Sequence, residues 1–173
     1  TLRPPFLKWV LTRINHVVKT GVFLDSPVQG LNYKTATQIG KTNALGEFFY
    51  VQGEKVSYSI GGISFEASIP ASGIVTPLTV FSTTNINDER VINLAQLLQT
   101  LDADGDNSNG IAISAETQTL AAGTTISSFN SPDFDNSILD LLAANNISLV
   151  SESDAKAHFN QTLVDNSLEG SIV

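Results

Sequence analysis

The spacing of hydrophobic residues changes twice along this chain, and each change predicts a different kind of element. Over residues 4–18, Leu7, Val10, Leu11, Ile14, Val17 and Val18 recur at helical intervals behind Pro5, which suits a first helical turn. The pattern predicts a short amphipathic helix, serving a membrane surface or partner, or simply packed on the body. From residue 21 to residue 80 the period falls to two. Val22–Leu24 and Val28–Tyr33 read as short strands, interrupted at Asp25-Ser26-Pro27, where proline lacks an N–H for a ladder and so marks a bulge or an edge crossing. Val56, Tyr58 and Ile60 share one face; beyond Gly61-Gly62, so do Ile63, Phe65, Ala67 and Ile69. With glycine turns expected at 40, 53 and 61–62, this region predicts a meander or Greek-key sandwich.

The third texture is helical. Asn87 is the expected N-cap of a helix carrying Val91, Leu94, Ala95, Leu97, Leu98 and Leu101 inward, with Asp88 and Glu89 at the positive end of its dipole. Ser131-Pro132-Asp133 opens a second helix with Phe134, Ile138, Leu141 and Leu142 inward, stopped at Asn145-Asn146. Ser151-Glu-Ser-Asp154 resembles a capping box and opens a third, with Ala155, Phe159 and Leu163 inward. The expected organisation is a leading segment at 1–20 (an amphipathic helix or an appended stretch), a β-sandwich lobe at 21–80, a helical lobe at 81–165 and a tail at 166–173. The fold class is therefore α+β, a Greek-key sandwich packed against a three-helix lobe.

Composition narrows the functions. There is no cysteine among the 173 residues, which removes disulfides, zinc-thiolate sites and thiol nucleophiles together. The net charge is −8, and it is unevenly placed: residues 1–20 hold four bases and no acid, while the rest holds five bases and all seventeen acids. So acidic a body repels phosphate backbones, which argues against nucleic acid as a partner. No apolar run reaches the roughly 18–20 residues that span a bilayer, so no transmembrane segment is predicted.

One stretch carries candidate chemistry. In "LDADGDNSNGI" Asp102, Asp104 and Asp106 alternate, Gly105 permits a sharp turn, and Asn109 adds a further oxygen. Calcium prefers six to eight oxygens, and three carboxylates at a helix C-terminus repel one another and the dipole until a cation neutralises them. Neither possible frame completes an EF-hand, so the prediction is an irregular calcium loop with Asp102, Asp104, Asp106 and Asn109 as ligands. A weak extracellular-type site, with a Kd of order 10⁻⁴ M, would stabilise the fold by roughly 1–2 kcal/mol in millimolar calcium. The same residues are also ordinary turn formers. Elsewhere no Gly-x-Ser-x-Gly elbow and no phosphate-binding glycine loop occurs. His158 beside Phe159 reads as a packed histidine with one satisfied nitrogen, and His16 reads the same way. Tyr33, Tyr50, Tyr58 and Trp9 would make a sugar-stacking platform if exposed, but strand alternation places the tyrosines in the core or half-buried in the sheet.

The order Gly21-Val22, Val28-x-Gly30, then Thr42-Asn43-x-x-Gly46-x-Phe48-x-Tyr50 resembles the carboxypeptidase-regulatory-like, transthyretin-type sandwich of many secreted bacterial proteins. With Thr76-Pro77-Leu78, "VINLAQLLQTLDADGDNSNGI" and "AKAHFNQTL", residues 21–163 look like a module of bacterial surface lipoproteins and adhesin-like proteins. That resemblance implies an extracellular or outer-surface location and a non-enzymatic role. Neighbouring domains of a larger surface protein, or an extracellular glycan or peptide, are the expected partners. A carbohydrate- or peptide-binding domain and an accessory domain of a secreted hydrolase are the alternatives.

Overall fold

The computed structural model describes residues 17–66 and 68–169. The helix expected over residues 4–18 falls almost wholly outside them, although Val18 proves to open a strand rather than close a helix. Strand β1 (Val18–Phe23) pairs antiparallel with β5 (Glu47–Val51) and parallel with β9 (Ile74–Val75), giving a three-stranded sheet in the order β5-β1-β9. A second sheet runs β4 (Ile39–Lys41), β3 (Asn32–Lys34), β6 (Lys55–Ile60), β7 (Ile63–Ser64), with β8 (Ile69–Pro70) also on β6. Gly40, expected at a turn, lies within β4, whereas Gly53 and Gly61 do turn the chain at positive φ. The Asp25–Pro27 break is a tight turn closed by a Leu24–Pro27 bridge.

Five helices follow: α1 (Pro77–Val80), α2 (Glu89–Thr100), α3 (Ala115–Leu120), α4 (Asp133–Asn145) and α5 (Glu152–Asp165). Among the described residues helix takes 36% and strand 23%, so the protein is mixed α+β. The three long helices lie where the apolar spacing predicts them. The cap of α2 is displaced by one residue: Asp88, not Asn87, accepts from the Arg90 N–H, and its carboxylate also pairs with the Arg90 guanidinium at 2.7 Å. Ser151 caps α5 through the Asp154 N–H, and Asn146 ends α4 in the left-handed conformation.

Strands and helices share one core. Aromatic side chains run through it in sequence: Tyr33 on Phe48, Phe48 on Tyr58, Tyr58 on Phe23, Phe23 on Phe65, Phe65 on Phe129, and Phe129 stacked on Phe134 of α4. Burying each such ring contributes about 1.5–3 kcal/mol, with a further increment of about 0.5–1.5 kcal/mol for a well-oriented aromatic pair.

Helix α2 lies at the centre and is buried nearly all round, so its polar residues must find partners inside. Asn93 donates to the Phe129 carbonyl, Gln96 to the Val150 carbonyl, and Thr100 Oγ1 accepts from the Val150 N–H. These bonds tie segments distant in sequence to one helix.

Candidate functional site

After α2 the chain enters the Asp-rich loop and leaves it as β10 (Ile111–Ala112), which pairs in parallel with β2 (Val28–Gln29). The loop thus spans from the helices to the strands. It closes at its neck, where the Ala103 N–H donates to the Ala112 carbonyl and Asp102 Oδ1 accepts from the Ala112 N–H, both at 2.9 Å. Within it, Asp104 accepts from the Asp106 N–H and from Asn109 Nδ2, each at 2.9 Å. Asp106 caps a single 3-10 turn, Asn107–Asn109, by accepting from the Ser108 N–H and hydroxyl.

The four candidate ligands therefore divide. Asp102 and Asp104 lie within hydrogen-bonding reach of each other, and Asn109 presents its nitrogen to Asp104. Asp106 turns towards Ser108. Burial, and then the neighbouring Asp104 charge, push the Asp102 carboxyl above its ordinary range. Asp104 is held low by hydrogen bonds from Asn109 and the Asp106 N–H. Among the described residues no three or more His, Cys, Asp or Glu side chains are gathered as a metal site. The Asn107 amide lies 3.2 Å from both Asp102 Oδ2 and the Gln99 carbonyl, and in the orientation that turns its nitrogen to these two acceptors it donates to both and joins the loop to α2.

A second polar cluster adjoins the loop, and the sequence reading did not assemble it. At the β1–β2 turn, Asp25 is fully buried and Ser26 takes a left-handed backbone with φ of 54°. His158 of α5 places Nε2 at 3.0 Å from Ser26 Oγ and at 3.9 Å from Asp25 Oδ1. Gln99 Nε2 donates to Asp25 Oδ2 at 2.9 Å, while Asp25 Oδ1 has no hydrogen-bond partner. Desolvation drives the Asp25 carboxyl from its ordinary 3.8 to about 7, against the lowering effect of Gln99. Burial also holds the His158 imidazole below its usual range, partly offset by a hydrogen bond with the Asp25 backbone. "DSP" at 25–27 offered only a turn signal, and residue 158 lies far along the chain, so no local pattern could bring them together.

Serine, histidine and aspartate in contact invite comparison with a hydrolytic triad, and the geometry differs in two respects. In a triad the acid holds Nδ1 and leaves Nε2 free for the serine; here Asp25 and Ser26 both approach Nε2. Ser26 Oγ, moreover, donates its one proton to the Asn107 carbonyl at 2.9 Å. With that proton on the Asn107 carbonyl, the 3.0 Å contact is filled by a hydrogen on His158 Nε2, and in that tautomer the imidazole donates to the hydroxyl. The Ser26 N–H is directed at Thr162 Oγ1, which removes the nearest oxyanion donor.

The three tyrosines lie inside: Tyr33, Tyr50 and Tyr58 all belong to the core, and the Tyr58 hydroxyl is buried without a partner. Trp9 lies outside the described residues. No helix among the described residues is long and apolar enough to cross a membrane. Compared with protein-family models, curated proteins and solved structures, the chain matches none.

Proposed function

We propose that this chain is a non-enzymatic structural or adhesive module of a bacterial surface or secreted protein, built on a transthyretin-like sandwich joined to its helices by a calcium-stabilised Asp-rich loop. The observation that carries the reading is the wiring of the strand–helix seam. Its side chains with catalytic potential are spent as crosslinks: Ser26 bonds the loop carbonyl of Asn107, His158 bonds Ser26, and Gln99 bonds Asp25. A hydroxyl with its proton committed to a carbonyl is a poor nucleophile, and a histidine acting as donor is no general base.

Calcium enters this reading as a clamp. Asp102 and Asp104 are close enough to repel when both are ionised, and a divalent cation would remove that repulsion once Asn109 turned its amide oxygen inward and Asp106 left Ser108 to complete the ligand set. Neighbouring domains of a larger protein are the expected partners.

Two measurements test the proposal separately. A fluorophosphonate probe is expected to leave Ser26 unlabelled, and stoichiometric labelling there would overturn the non-enzymatic reading. Metal-stripped protein given millimolar calcium is expected to melt roughly 2–8 °C higher, with the shift abolished in Asp104→Ala. An unchanged midpoint would remove calcium from the account. The second reading, a carbohydrate-binding domain, is favoured by the groove on the five-stranded sheet.

A further inference from the structure

The outward face of the β4-β3-β6-β7 sheet is chemically unlike the rest of the molecule. Cross-strand register builds two rows on it: Lys41, Asn32, Ser59, Ser64 in one, and Ile39, Lys34, Ser57 in the other. Lys55, two residues before Ser57 on the same strand, shares that face by alternation. Tyr33 and Tyr58 alternate to the opposite side and fill the core. These strands contain no acidic residue, although the whole chain holds seventeen. Glu54, the nearest acid in sequence, is occupied by the Thr37 hydroxyl and the Val51 N–H. Among the described residues neither Lys34 nor Lys41 forms an ion pair. The helices carry the opposite charge: α4 alone has Asp133, Asp135 and Asp140 and no base.

The two rows line an open groove of about 570 Å³. We propose that this groove binds an acidic polysaccharide, with uronate carboxylates set against Lys34 and Lys41 and sugar hydroxyls against Asn32, Ser57, Ser59 and Ser64. Lysines gathered on strands that carry no acid focus an attractive field for anions on this face. Beside Ile39 and the glycines at 40, 61 and 62, the wall presents the short hydroxyls of Ser57, Ser59 and Ser64 and the amide of Asn32, which match the alternating donors and acceptors of a sugar ring. A protein partner would call for aromatic or apolar anchors at the centre of the patch. This face offers only Ile39, 78% exposed at the edge strand. Asn32 is held in place by Gln118 of α3, whose Oε1 accepts from Asn32 Nδ2, so part of the wall is set in advance.

The proposal goes beyond the scaffold reading and stands or falls without it. Titration calorimetry of the whole chain with oligogalacturonate, dextran oligomers and poly-glutamate tests it. Oligogalacturonate is expected to bind and dextran not to. The affinity should weaken with added salt and fall at least tenfold in Lys34→Gln/Lys41→Gln, whose exposed positions leave the melting midpoint unchanged. Absence of oligogalacturonate binding at millimolar concentration would overturn the proposal. So would equal binding by the double variant, or tighter binding of poly-glutamate, which would make the face a surface for acidic peptides.

Discussion

Replacing Asp25 by asparagine isolates the most strained ionisation in the molecule. Asp25 is fully buried, one carboxylate oxygen has no partner, and its carboxyl titrates at about 7 rather than 3.8. A folded-state pKa above the unfolded value means that the folded chain holds the proton more tightly. Stability contributed by this group is therefore present at low pH and is lost as pH rises from about 4 to about 7. At about 1.4 kcal/mol per pKa unit, the full loss is roughly 4 kcal/mol, of which roughly 3 kcal/mol falls between about pH 5 and about pH 8.5. Full burial leaves no solvent to screen the effect. His158 works in the opposite sense: its lowered pKa favours the neutral ring, so its contribution is lost as pH falls through about 6.5. Asparagine keeps the shape and an acceptor for Gln99 but cannot ionise. Its own unsatisfied amide costs the same at every pH and cancels from the comparison. Urea unfolding of both proteins at the two pH values provides the measurement. The difference in stability, variant minus wild type, should grow by roughly 3 kcal/mol from the acid to the alkaline condition. Parallel pH dependences would refute the reasoning, because they would mean that Asp25 ionises as freely in the folded chain as in the unfolded one.

Two further substitutions probe how the strands are held. Thr42 is buried; its hydroxyl donates to the Val28 carbonyl at 2.6 Å and accepts from the Leu31 N–H at 3.0 Å. Thr42→Val keeps the shape and strands both backbone groups, so chemical denaturation should show a loss of about 1–3 kcal/mol; a neutral result would mean that water replaces the hydroxyl. Gly30 has φ of 87°, and a Cβ there would run into the Ile113 carbonyl, so Gly30→Ala should lower stability by at least about 1–3 kcal/mol in the same assay. A wild-type midpoint would show that β10 can move away from β2.

Much of the architecture is legible in the order of residue types. Alternation of Val56, Tyr58 and Ile60 specifies a strand with one buried face. The three-four spacing of Val91, Leu94, Leu98 and Leu101 specifies a helix, because burial of one face and the backbone period together admit few alternatives. The ends of elements are less well determined. Asn87 and Asp88 are both competent caps, and Asp88 is chosen because its carboxylate also engages Arg90. Helices α1 and α3 are too short to show a period at all.

Sequence alone thus determined the three long helices, the strand at 55–60, the uneven charge, and the presence of an Asp-rich turn after a buried helix, each of which depends on neighbours within a few positions; the strand at 18–20, the split of 28–33 into β2 and β3, and β10 within the helical region follow from pairing with distant segments. Only the tertiary structure decided what the polar residues do. The amides of Asn93, Gln96 and Gln99 look like the solvated side of an amphipathic helix until strands and helices enclose it, whereupon each must bond a distant group. Asp25, Ser26, Asn107 and His158 meet for the same reason, brought together by a seam between segments 81 and 132 residues apart. The groove likewise needed the register of four strands before separate lysines and serines became one surface. Contacts of that kind follow from how the elements pack, and no local pattern encodes them.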